Sequence, residues 1–218
     1  METKRAIVIG GTGLVGRELV RLLVGDERFG AVVLLGRRTH GVSDPKVQEH
    51  LIDFERPAAW RELVAGDVLF SSLGTTIKKA GSQAAQYRVD HDYQFRVAEA
   101  ARGNGVPAFV LVSSGGANPR SRLFYPRIKG ELERDVTALG FPRLRILRPG
   151  PLDGGRREYR AGEAFALRVL RPLAPLLPWG MRPIRAETVA RAAIATALDP
   201  AVGTQIHDAR ALFQLGAA

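Results

Sequence analysis

A short apolar stretch, Ala6-Ile7-Val8-Ile9, runs without a break into Gly10-Gly11-Thr12-Gly13-Leu14-Val15-Gly16. Leu14, Leu19, Leu22 and Leu23 then recur at helical spacing. No other feature limits the possible fold as strongly. Glycines at 10, 13 and 16 (and equally at 11, 13 and 16) mark a strand-to-helix reversal in which no β-carbon blocks a close-lying ligand. The free amides and positive dipole end of the following helix suit an anion, and a pyrophosphate is the ligand that this arrangement holds in dinucleotide folds.

The same alternation continues along the chain. Apolar runs of strand length at 5–9, 31–35, 47–52, 67–72, 108–113 and 143–147 are separated by helical patterns at 13–24, 60–64, 90–102 and 125–139. Strands that are apolar throughout belong to a sheet covered on both faces. Short strands joined by helices imply parallel β-α-β units. The expected fold class is α/β, a doubly wound, Rossmann-like parallel sheet. After Pro149 the pattern loosens: 160–170 and 186–198 read as helices, with prolines at 172, 175 and 178 between them. No linker is visible. Residues 1–218 are therefore expected to form a single NAD(P)-binding domain, with 151–185 as a small cap on the substrate side.

The end of the second strand selects the nucleotide. NAD-preferring folds place an acid about 20 residues beyond the glycines, where it binds the ribose 2′-hydroxyl. Here Arg37 and Arg38 stand instead. Two guanidiniums suit a 2′-phosphate, which they can grip bidentately, so NADP(H) is expected over NAD(H). Asp53 and Phe54, after the third strand, are placed to cover the adenine edge.

Tyr125-Pro126-Arg127-Ile128-Lys129 sets a phenol and an ammonium one turn apart on one helix face. Proline is tolerated only in a first helical turn, which puts Tyr125 at the helix start. A cation beside a phenol poises it for proton transfer. Ser113 and Ser114 end the fifth strand, where a hydroxyl can orient a carbonyl beside the crevice. Ser114, Tyr125 and Lys129 are the candidate catalytic set, with the choice between Ser113 and Ser114 open.

Composition narrows the alternatives. The 218 residues include no cysteine, which excludes disulfides, thiolate catalysis and cysteine-ligated zinc. The four histidines are scattered without ligand spacing, so no metal site is expected. The net charge of +10 comes almost wholly from 27 arginines spread along the chain. With 7% aromatics and no basic stripe, nucleic acid is not an expected partner. No apolar stretch is long enough for an export signal or a membrane span, and a cytoplasmic location is expected. Monomer and homodimer remain open, and the substrate would be set by 76–86 and the cap.

Further segments carry a resemblance: Leu73-Gly74-Thr75-Thr76-Ile77-Lys78-Lys79, Val89-Asp90, Ser113-Ser114-Gly115-Gly116, Tyr125 through Lys129-Gly130-Glu131, Arg148-Pro149-Gly150 and Ile206-His207-Asp208. Together with the glycine turn and Arg37-Arg38, they make the chain resemble the short-chain dehydrogenase/reductase superfamily. Within it, the chain is similar to the atypical branch of TIP30/CC3-type proteins and their bacterial relatives. The resemblance implies NADPH lined by Gly10, Thr12, Gly13, Leu14, Val15, Gly16, Arg37, Arg38, Leu73, Gly74, Thr75, Tyr125 and Lys129, with Pro149-Gly150 at the nicotinamide end. It implies hydride transfer to a small carbonyl-like substrate. The alternative it carries is a non-catalytic, NADP(H)-sensing regulator that docks a protein partner through Leu173, Leu176, Leu177 and Trp179.

Overall fold

In the computed structural model, residues 3–153 and 178–217 are described. β1 (Lys4–Ile9) is buried from Ala6 onward and lies between β2 (Phe29–Gly36) and β4 (Val68–Ser71), with Ile9 opposite Leu35 on one side and Ser71 on the other. β3 (Val47–Leu51) extends the sheet beyond β2. β5 (Ala108–Val112) and β6 (Arg143–Leu147) extend it beyond β4. All pairings are parallel. A separate two-residue pair joins β7 (Leu152–Asp153) to β8 (Ile184–Arg185), and β9 (Gly203–His207) pairs with β6, giving the sheet order β3-β2-β1-β4-β5-β6-β9.

Successive residues of β1 feed opposite faces, as the pleat requires. Ala6 and Val8 pack with Leu19 and Leu23 of α1 (Leu14–Gly25) and with Val189 and Ala193 of the later helix Ala186–Leu198. Ile7 and Ile9 face the other way, with Val97 and Ala101, and with Leu132 and Val136 from the helix Phe124–Ala138. Each fully buried valine, isoleucine or leucine among them contributes roughly 1.5–3 kcal/mol. The two covered faces make this the doubly wound parallel sheet that the apolar strands predict.

Between β4 and β5 the chain forms α2 (Ile77–Ala80) and α3 (Gln83–Tyr87), each capped by a hydroxyl, Thr76 accepting from the Lys79 amide and Ser82 from the Ala85 amide. A π-helical turn, Arg88–Asp92, follows and leads into α4 (Tyr93–Gly103). The helix Phe124–Ala138 is α5, Ala186–Leu198 is α6 and Ala209–Leu215 is α7.

Two local readings differ, and a third cannot be compared. The helix expected at 60–64 is a pair of 3-10 turns, Pro57–Ala59 and Arg61–Leu63, because Trp60 is drawn into the core between them, its indole N–H donating to the Asp53 carbonyl at 2.9 Å. The strand Gly203–His207 has no apolar run and was not expected. Buried Arg145, 1% exposed, secures it: the guanidinium donates to the carbonyls of Gly203 and Ala201. The helix read at 160–170 and most of the 151–185 cap lie outside the described residues.

Replacing Arg145 by leucine is expected to orphan those carbonyls and destabilise the chain by about 1–3 kcal/mol. A urea titration would read the loss. Hydrogen exchange would show β9 amides opening before those of β1.

Candidate functional site

The site begins at the turn after β1. Gly10 has φ +80°, and a β-carbon there would overlap the Leu73 backbone. The Gly13 amide donates to the Gly10 carbonyl at 2.9 Å, closing the turn. α1 then starts with Gly13 as an extended N-cap, with no side-chain cap and no acid in its first turn. Its leading amides therefore keep no side-chain acceptor, which is the condition an anion site at a helix start requires.

Two adjoining cavities open over the carboxyl ends of the strands. One, of about 490 Å³, is walled by the glycine turn and Thr12, by Arg37 and Arg38, and by Phe54 and the Leu73-Gly74-Thr75 loop. The other, of about 380 Å³, shares Thr12, Gly13, Leu73, Gly74 and Thr75 and adds Leu14, Val15, Ser113, Tyr125 and Lys129. The shared walls make them two parts of one crevice, at the point where the chain leaves β1 to both sides.

Other expected residues do not line it. Gly16 packs α1 onto the turn, a β-carbon there overlapping the Gly10 carbonyl. Asp53 is largely exposed and caps its own turn, accepting the Glu55 amide at 3.0 Å, while its neighbour Phe54 is buried and stacked on Tyr93 at 5.1 Å. Pro149 supports the loop after β5 by accepting the Gly115 amide at 2.8 Å. Conversely, His40 and Glu49 line the first cavity and were not expected. The Glu49 carboxylate takes the Thr39 hydroxyl at 2.7 Å and the His40 amide, which fixes the loop that carries Arg37 and Arg38.

Tyr125 is in the first turn of α5 and 42% exposed, while Lys129 is 3% exposed. The Lys129 ammonium is 6.0 Å from the Tyr125 ring centroid and 3.2 Å from a carboxylate oxygen of Asp90, itself 1% exposed. Asp90 therefore belongs to the site, and spacing along the chain could not reveal it, because its partner lies on another helix. Gly130 lets α5 pack against the loop after β5: a β-carbon there would overlap the Asn118 and Pro119 backbone.

The two serines differ in where their protons go. Ser113 is buried and donates to Glu133 at 2.5 Å. Glu133 is held in turn by Arg148, at 2.5 and 3.1 Å, and this contact keeps the guanidinium more firmly protonated than usual. A carboxylate so held only accepts, so the Ser113 proton is committed. Ser114 is half-buried, lines neither cavity, unlike Ser113, and makes a 3.2 Å contact to the Gly115 carbonyl.

A family model described as NAD(P)H-binding matches residues 10–163. The chain belongs to this family. It is 36% identical over 219 residues to "Protein fmp52, mitochondrial" of Aspergillus fumigatus, covering 96% of this chain and 93% of the relative. It is 34% identical to "Protein HTATIP2" of Rattus norvegicus, covering 99% and 90%. These relatives bear out the resemblance read from the motifs. Among solved structures it is similar to MoeE5 in complex with UDP-glucose and NAD, with a TM-score of 0.72, 19% identity and coverage of 94% and 75%, a likeness of fold.

One expectation is overturned by these relatives. The FMP52 proteins are named as mitochondrial, which conflicts with a cytoplasmic location. The physical reason is that a lack of cysteine bears only on oxidation. It does not distinguish one reducing, aqueous compartment from another. Among the described residues, no helix is long and apolar enough to cross a membrane, and no cluster of three or more potential metal ligands occurs.

Glu133→Gln is expected to weaken the Ser113 and Arg148 contacts together. The predicted cost is about 1.5–3 kcal/mol, measured by urea unfolding, since hydrogen bonds to charged groups carry that range.

Proposed function

We propose that the chain is an NADP(H)-preferring oxidoreductase of the atypical short-chain dehydrogenase/reductase type, reducing a small carbonyl-like substrate. The observation that carries this reading is the opening of Tyr125 and Lys129 on the same crevice as the uncapped start of α1. The glycine turn and the amides of Leu14 and Val15 would hold the pyrophosphate, Arg37 and Arg38 the 2′-phosphate, and Phe54 the adenine side. Lys129 would hold the nicotinamide ribose. When bound, the reduced nicotinamide supplies the hydride.

The remaining chemistry falls to side chains of this protein. Tyr125 donates its phenolic proton to the carbonyl oxygen as the carbon is reduced, giving the alcohol. Lys129 provides the adjoining positive charge. Ser114 donates to the carbonyl and orients it, because its proton is only loosely engaged. Ser113 serves as an anchor, its proton committed to Glu133. The substrate enters beside Leu152, which lines the same cavity.

Two measurements test this reading. NADPH is expected to bind at least about tenfold more tightly than NADH, about 1.4 kcal/mol. Arg37→Ala with Arg38→Ala should abolish the difference, and an unchanged ratio would remove both arginines from the 2′-phosphate site. In a carbonyl-reduction screen followed at the nicotinamide absorbance, Tyr125→Phe should lose at least about a hundredfold in turnover, the usual scale of a general acid. Ser114→Ala should lose more activity than Ser113→Ala. The reverse order would exchange their roles.

A further inference from the structure

We infer that Asp90 is a positioning residue: its buried carboxylate sets Lys129 in place and locks it to the Leu73-Gly74-Thr75 wall of the crevice. The inference rests on the reading of the Tyr125 and Lys129 side as the nicotinamide half of the site.

The carboxylate has two partners of different kinds. One oxygen faces the Lys129 ammonium at 3.2 Å, and the other accepts the Thr75 amide at 2.8 Å. The loop passes directly over the acid, since a β-carbon on Gly74 would lie 3.3 Å from the same oxygen that faces Lys129. The Thr75 carbonyl is taken by the Gln86 side-chain amide at 3.2 Å, so Thr75 is gripped from both sides. Asp90 is itself fixed. Its carbonyl accepts the Gln94 side-chain amide at 2.7 Å, and Gln94 accepts the Ser71 hydroxyl at 2.6 Å, from the end of β4. A movement of Lys129 is thus a movement of the wall that the two cavities share.

The backbone is shaped for this contact. Asp90 lies in the π-helical turn Arg88–Asp92, and the extra residue of such a turn shifts the helix register. With that shift, Asp90 meets Lys129 of α5, while the next residue, His91, meets Asp135 of the same helix at 3.0 Å. A fully buried ion pair gains little stability on balance, because desolvation offsets the attraction, and specifying one arrangement is the better-attested use of such pairs. An ammonium has three donors. One goes to Asp90, and the pairing leaves the Lys129 side chain in a single placement beside Tyr125.

The test compares two probes on the full chain: NADPH, which fills both halves of the crevice, and 2′,5′-ADP, which fills only the adenosine half. Asp90→Asn keeps the volume and an acceptor for the Thr75 amide, and removes the charge that opposes Lys129. Asp90→Glu keeps the charge but moves it by one methylene. Both variants are expected to bind NADPH at least about tenfold more weakly and to lose the fluorescence change of bound nicotinamide, while 2′,5′-ADP affinity stays within about twofold of wild type.

NADPH binding at the wild-type level in either folded variant would overturn the inference. So would an equal loss of both probes, which would mark Asp90 as a general support of the fold. Should Asp90→Asn not fold, Asp90→Glu decides by the same comparison. Failure of the oxidoreductase reading looks different: wild type would then reduce no carbonyl, while the contrast between the two probes would still report on Asp90.

Discussion

The reversal at Gly10 governs the carboxyl edge of the sheet. Its positive φ and the contact of its α-carbon side with the Leu73 backbone bring the end of β1 and the loop after β4 together without an intervening side chain. Three things follow from that one approach. α1 begins at Gly13 with its leading amides uncapped, the Leu73-Gly74-Thr75 loop becomes a wall common to both cavities, and Thr75 comes within reach of Asp90. A β-carbon at position 10 would separate β1 from that wall.

Buried charge organises the rest. Lys129 with Asp90 and Glu133 with Arg148 flank the end of β5, while Arg145 ties β6 to β9. Groups of this kind are costly to desolvate and are kept in cores when they are paired or hydrogen-bonded, although the buried Arg145 Nε has no partner among the described residues. Here α5 supplies both Lys129 and Glu133, one turn apart. A single helix therefore carries the ammonium beside Tyr125 and the acid that commits the proton of Ser113. The two serines thus differ in hydrogen bonding: Ser113 donates to the buried Glu133, and Ser114 to the Gly115 carbonyl at 3.2 Å.

Much of this was legible in the chain. The β1-turn-α1 junction, the apolar strands of the sheet interior and the Tyr125 to Lys129 spacing all rest on periodicity and local backbone chemistry, which act over a few residues. The strand Gly203–His207 escaped because Gly-Thr-Gln-Ile-His has no apolar run. At the sheet edge it needs none, and it is recruited by Arg145 and by pairing with β6. Trp60 turned an expected helix into two tight turns by filling the core beneath Phe54. Asp53, next to Phe54, capped its own turn, since a short acid two residues before a free amide finds that donor first.

The amino-acid sequence alone determined the alternation of elements from β1 to β6, the doubly wound parallel sheet, the glycine turn at the start of α1 and the residue types available for nucleotide and proton chemistry. These depend on interactions between near neighbours in the chain. Only the tertiary structure decided that Asp90 faces Lys129, that Glu133 takes the proton of Ser113, and that Arg37, Arg38 and the glycine turn border one crevice. Each of those links joins different elements, and its strength comes from burial, which no stretch of sequence carries until the core has closed around it.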